Sequence, residues 1–210
     1  TNLNLTPHPL LETLNCSGNQ LSTITFPASN NLQSLNCSKN LLANFDYAVV
    51  PNLKILNCSQ TQSTSLQISA LTQLEELYCS RNQLTSIPLA SLPALVQLEC
   101  SSNSISSLDL SLAPQLKMLN CSFNLLTALS LSQSVNLEIL NCDKNQITSL
   151  DTSGLLNLKS LSCNKNGMNA LTIHQSILLE DVSCYENNLA ALDASNLTLL
   201  KSLTCQKNQL

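Results

Sequence analysis

Ten cysteines fall on one unbroken period. They stand at Cys16, Cys37, Cys58, Cys79, Cys100, Cys121, Cys142, Cys163, Cys184 and Cys205, each 21 residues after the last. Self-similarity at a fixed period of this size marks a repeat array, in which a unit buries its apolar face only by stacking on its neighbours. Neither chance nor a disulfide framework spaces ten thiols so evenly.

Cutting the chain at the leucine five residues before each cysteine gives units of the form L-x-x-L-x-C-x-x-N-x-L-x-x-L-x-L followed by five variable residues, as in Leu116 to Asn136. The asparagine place holds Asn19, Asn40, Asn82, Asn103, Asn124, Asn145, Asn166, Asn187 and Asn208, with Thr61 as the one departure. Two places later an aliphatic residue recurs from Leu21 to Leu210, except at Ser63. Both lapses lie in one repeat. The chain divides into a half-repeat at 1–10, nine full units over 11–199 and a half-repeat at 200–210, together one domain. Both ends stop inside a repeat, which reads as a segment of a longer protein without its caps.

The pattern resembles the leucine-rich-repeat family over the whole chain. A 21-residue unit with Cys in place of the third leucine is similar to the short bacterial subclass called IRREKO and to the cysteine-ladder repeats of the internalins. The alternation L-x-C points Leu and Cys inward and the intervening residues outward. The expected fold is a β-rich solenoid. Short parallel strands about 4.8 Å apart line a concave face, and ten units make a rod or shallow arc on the order of 48 Å long. A 21-residue unit leaves room on the convex side only for short strands, 3-10 turns or irregular chain. At the turn leaving each strand, a buried asparagine amide can donate to and accept from backbone groups that no sheet satisfies, which predicts an asparagine ladder. Thr61 replaces only part of that bonding, so the third unit is expected to be looser.

Composition narrows the function classes. Charged residues are 10% of the chain, the net charge is −4, and the nine Lys and Arg are scattered along it. Nothing here would neutralise a row of phosphates or make a basic membrane patch, so neither nucleic acid nor membrane is an expected partner. No run approaches the roughly 20 apolar residues of a membrane-spanning helix, and residues 1–10 lack the features of a signal peptide. Three Phe, three Tyr and no Trp suit a core of stacked aliphatic side chains.

Ten thiols invite a disulfide or metal reading. Cysteines on adjacent parallel strands have parallel Cβ vectors, whereas a disulfide needs them to converge. Structural zinc needs ligands grouped around a point, and the sequence has no C-x-x-C. A buried column of free thiols acting as small apolar groups is the better reading, with no metal and no cofactor. His8 and His174 lie some eight repeats apart in variable segments and cannot share a site. Asp46, Asp109, Asp151 and Asp193 share one repeat position, but at a separation of two repeats, about 10 Å, they read as solvated charge rather than a calcium site. The Asn-Cys-Ser triplets match a glycosylation pattern that the repeat itself generates.

No nucleophile, base and orienting group come together, so no enzyme is expected. The outward residues of the concave strands are where solenoids present partner sites. There, small polar residues are interrupted by Glu76, Tyr78 and Glu99 with Arg81 beside them, then by Met118, Phe123 and Ile139, and later by Tyr185. Aromatic and Arg side chains are favoured anchors, which makes Glu76, Tyr78, Arg81, Glu99, Met118, Phe123 and Tyr185 the candidate contacts. The family resemblance implies a non-catalytic recognition or adhesion module of a secreted or cell-surface bacterial protein, taking a protein or glycan on its concave face. A structural stalk, or the recognition arm of an intracellular effector enzyme, is the alternative.

Overall fold

A computed structural model describes residues 1–210. The three residues before each cysteine form a short strand, from Thr13–Asn15 in the first full repeat to Ser202–Thr204 in the last. These strands pair in parallel and in sequence order as one ten-stranded sheet. Each register partner is the residue 21 positions on, as with Leu56 against Leu77 and Tyr78 against Glu99. The middle residue of each strand points in; Leu35, Leu56, Leu77 and Leu98 are fully buried. Cysteines lie directly behind them, and all ten are free thiols.

The other side of the solenoid carries little regular structure. Two short parallel pairs occur there, Asn2–Asn4 with Thr23–Thr25 and Ser149–Asp151 with Ala170–Thr172, together with 3-10 turns at Tyr47–Val49, Leu89–Ser91 and Leu110–Leu112. The recurring aspartates explain part of this geometry. Asp46 Oδ1 accepts from Ala48 N at 2.9 Å, Asp109 from Ser111 N at 3.1 Å, Asp151 from Ser153 N at 2.9 Å and Asp193 from Ser195 N at 3.0 Å. Each carboxylate caps its own turn, a local bond that Asp forms readily.

Between the two sides, 53 buried apolar residues make one continuous cluster, a core that no single repeat could assemble. It is not purely aliphatic, as the composition led one to expect. Tyr47 is the largest fully buried side chain, packed edge-on against Phe45 with centroids 5.1 Å apart, its hydroxyl 3.5 Å from Cys37 Sγ. A thiol is a weak partner, but it spares a buried hydroxyl from being orphaned.

The asparagines run as a ladder along the turn after the sheet. Asn40 Nδ2 donates to the carbonyls of Cys37 in its own repeat (3.0 Å) and Cys16 in the preceding one (2.9 Å), while Oδ1 accepts from Leu21 N at 2.9 Å. The same bonds recur at Asn103, Asn124 and Asn145. At the lapse, Thr61 and Ser63 are both buried and share a hydroxyl contact at 3.0 Å, and Thr61 Oγ1 donates to Cys58 O at 2.8 Å. Leu42 N–H, facing Thr61, lacks the acceptor that an asparagine there would supply. The two substitutions are therefore partners: the hydroxyl that replaces leucine at 63 answers the one that replaces asparagine at 61.

A second row was not visible in the sequence. The residue just before each ladder position has a left-handed backbone: Gly18, Lys39, Gln60, Arg81, Ser102, Phe123, Lys144, Lys165, Glu186 and Lys207 all have φ between 51° and 69°. Only the first is glycine, the one residue that adopts this region without a steric penalty. Ser102 makes no side-chain hydrogen bond, so Ser102→Gly isolates the backbone effect. The substitution should raise stability by about 0.5–1 kcal/mol, and Ser102→Val should lower it by about 1–2 kcal/mol, in thermal or urea melts.

Candidate functional site

The outward row of the sheet is less free than its polar residues suggest. Asn15, Asn36, Asn57, Asn120 and Asn141 each turn Oδ1 back onto the N–H two residues on, at 3.0–3.1 Å. These are Asx turns that close the strand's end and leave the amide oxygens engaged. Where the asparagines give way to Tyr78 and Glu99, that turn bond goes and a different arrangement replaces it.

Tyr78 Oη donates to Glu76 Oε2 at 2.7 Å, and Tyr78 lies in register beside Glu99 on the next strand. Partial burial pushes the tyrosine hydroxyl up to about 12, helped by its bond to Glu76 and by the Glu76 and Glu99 charges. Burial likewise raises the Glu99 carboxyl, against the lowering effect of a hydrogen bond from Asn120. The sheet thus carries, near its middle, a tyrosine bonded to one carboxylate and in register with a second. Arg81 is exposed on the turn beyond, in the left-handed row, and forms no ion pair.

The remaining candidates separate into distinct places. Met118 lies in register with Ile139, which is exposed, giving an apolar step on the sheet. Phe123, also exposed, stands in the left-handed row with Lys144 Nζ 4.1 Å above its ring. Tyr185 has Lys165 Nζ at 5.6 Å, and Lys165 and Lys207 both pair with Glu186. Sequence reasoning found the rings but missed the lysines over them. For the first pair the signal was available, since Phe123 and Lys144 occupy the same place one repeat apart; Tyr185 and Lys165 do not.

The nine basic residues, scattered along the chain, are gathered by the fold. Lys39, Arg81, Lys144, Lys165 and Lys207 all sit in the left-handed row, two places after a cysteine; Lys54, Lys117, Lys159 and Lys201 all sit four places before one. The two groups border opposite edges of the sheet. Six of the eight lysines are paired with glutamates, so neither row is a free basic patch.

His8 and His174 stand eight repeats apart, and no group of three or more His, Cys, Asp or Glu could hold a metal ion. No helix is long and apolar enough to cross a membrane.

The functional domain of InlJ from Listeria monocytogenes, which includes a cysteine ladder, superposes on this chain with a TM-score of 0.90 at 30% identity over 99% of it. The protein is a cysteine-ladder leucine-rich-repeat solenoid. A leucine-rich-repeat family model (two copies) matches residues 72–113, the stretch that carries Tyr78, Arg81 and Glu99. YopM from Yersinia enterocolitica is similar at 29% identity, TM-score 0.73, over 95% of this chain and 47% of its own. A leucine-rich-repeat protein of Leptospira interrogans shares the fold at 24% identity, TM-score 0.68, over 85% of this chain and 55% of its own. This cysteine-ladder solenoid spans about half the length of each of these three solved structures, 46% in the case of InlJ. No curated protein sequence matches it. Leucine-rich-repeat folds generally serve as non-catalytic scaffolds for protein interaction.

Proposed function

We propose that the ten-stranded face is a recognition surface, taking a protein or glycan, in a secreted or cell-surface bacterial protein. The observation that carries this reading is the break in the Asx row. Most outward asparagines spend their side chains closing their own turns, whereas Tyr78 is bonded to Glu76 and stands in register beside Glu99, so that a ring and two carboxylates interrupt the row. Phe123 under Lys144 supplies a second exposed aromatic anchor about two repeats away, roughly 10 Å along the sheet. A half-buried aromatic with satisfied polar neighbours is the kind of residue that dominates interface energetics. A stalk needs neither feature, since its surface can be uniform.

The test is binding of the intact protein to arrays of purified glycans and proteins, with Tyr78→Ala/Phe123→Ala compared against the unmodified chain. Any specific ligand should bind at least tenfold more weakly to the double variant, a loss of about 1.4 kcal/mol or more. Thermal stability should change little. Equal binding by both proteins would move the site off this face, and no binding by either would favour the spacer.

A further inference from the structure

One long edge of the solenoid carries an aliphatic stripe that the fold itself does not use. Seven places before the cysteine, three successive repeats expose Val135, Leu156 and Ile177 at 51%, 60% and 52%, and Leu199 continues the line one place along at 48%. Side-chain amides one place on tie neighbouring repeats together here: Asn136 Nδ2 donates to Pro114 O at 3.0 Å and Asn157 Nδ2 to Val135 O at 3.1 Å. Single exposed aliphatics are ordinary, but a contiguous row marks a contact surface.

What should cover the stripe is indicated by the charges beside it. Three residues further on in each repeat run Lys117, Glu138, Lys159, Glu180 and Lys201, alternating in sign. Their backbones are joined by hydrogen bonds of 2.7–2.8 Å from each N–H to the preceding carbonyl, so the charges stand one repeat apart. Within the chain they pair with each other: Lys117 and Lys159 with Glu138, and Lys201 with Glu180. The three lysines are nonetheless well exposed and the two glutamates partly so, which leaves the row open to charges on a second molecule.

We propose that this edge binds a second copy of the same chain, antiparallel, about a two-fold axis passing between the Leu156 and Ile177 repeats. That axis sets Glu138 against Lys201 of the second copy and Lys159 against Glu180, so that every facing pair is opposite in charge. It also lays Val135 on Leu199 and Leu156 on Ile177. A two-fold parallel to the solenoid axis does the reverse, setting each charge on its own copy. The contact is isologous, as closed dimers require. The aliphatic row spans only about 15 Å, which places the pair among weak interfaces. This edge is separate from the face discussed above, so the two readings stand or fall independently.

Sedimentation velocity of the intact protein from about 5 to 500 μM tests it, and such a small interface should dimerise within the upper part of that range. Leu156→Glu, at an exposed position, should leave the far-UV spectrum and melting temperature unchanged and weaken dimerisation at least tenfold. A fivefold reversal, Lys117→Glu, Glu138→Lys, Lys159→Glu, Glu180→Lys and Lys201→Glu, keeps the self-complementarity. That variant should dimerise with itself and fail to pair with the unmodified chain when one of the two is fluorescently labelled. A chain monomeric at every concentration, a dimer indifferent to Leu156→Glu, or free mixing of the reversed and unmodified chains would each overturn the proposal.

Discussion

Raising the pH from about 8 to about 10 in the presence of a reductant should unfold this protein, and the cysteine column is the reason. From Cys37 to Cys163, seven consecutive thiols are almost wholly inaccessible. Burial pushes Cys37 and Cys121 up to about 12 from an ordinary value of 9.0, and likewise holds Cys58, Cys79, Cys100, Cys142 and Cys163 well above that ordinary value. Neighbouring thiols in the column raise most of them further, because a second thiolate beside the first would repel it. The folded state therefore keeps protons that the unfolded chain gives up once the pH passes 9. More protons bound in the folded state means that stability falls as pH rises. Below the unfolded value the effect vanishes, and between that value and the folded one each thiol costs about 1.4 kcal/mol per pH unit. Seven together cost on the order of 10 kcal/mol per pH unit, comparable with the whole stability of an ordinary domain. Urea melts followed by far-UV circular dichroism should shift little between about pH 6 and 8 and then collapse. Cys100→Ala should soften the slope by about one proton. A stability flat to about pH 10 would mean that the column is wetter than its burial implies. In the folded protein at neutral pH, the partly exposed Cys205 should be the first to react with a thiol reagent.

What the sequence made legible and what it hid follow from the same physics. Leu, Cys and Asn recur because each answers a demand that few residue types meet: apolar volume between the sheet and the back, a small apolar group behind the strand, and an amide that both donates and accepts. A demand that many residues can meet leaves no mark. The left-handed position before each ladder asparagine is held by Lys, Gln, Arg, Ser, Phe and Glu alike, since the turn's backbone bonds impose the conformation on whatever side chain is there. Gly18 alone signals it. Charges read along the chain seemed without order because their separations there are irregular, and only stacking at a 21-residue period collects them into two rows. Tyr47 was hidden for another reason, occupying a place where the preceding repeat carries Phe26 and the following ones aliphatic residues such as Ile68 and Leu89, and relying on two thiols to tolerate its hydroxyl. For the candidate face, the interrupting residues could be read from composition, but not that Tyr78 and Glu76 are bonded while Asn57 and Asn120 are spent on their own turns.

Replacing Asn124 should separate the ladder's two functions. Its Nδ2 donates to Cys100 O, Cys121 O and Ser122 O at 3.1–3.2 Å, and its Oδ1 accepts from Ile105 N at 3.0 Å, all within the interior. Cys100 O keeps a second donor in Asn103, and Cys121 O keeps one in Asn145. Ile105 N–H has no such reserve. Asn124→Ala should therefore cost about 2–3 kcal/mol, mainly for one stranded buried donor and two weakened carbonyls. Asn124→Asp keeps the shape and the acceptor but turns the donating end into an oxygen facing carbonyl oxygens. If the acceptor mattered most, Asp would be the milder change. The geometry favours the opposite order: near pH 7 Asp should cost more than Ala, because a carboxylate there must either ionise without compensation or take up a proton. Its carboxyl then titrates higher in the folded than in the unfolded chain, so the folded state binds the extra proton. The defect should shrink as pH falls toward about 4, where the alanine variant should show no matching recovery. Urea denaturation of the three proteins near pH 7 and near pH 4.5 reads both comparisons at once. An Asp variant more stable than the Ala variant near neutrality would show that the ladder is held by its acceptors, and that the paired carbonyls contribute little.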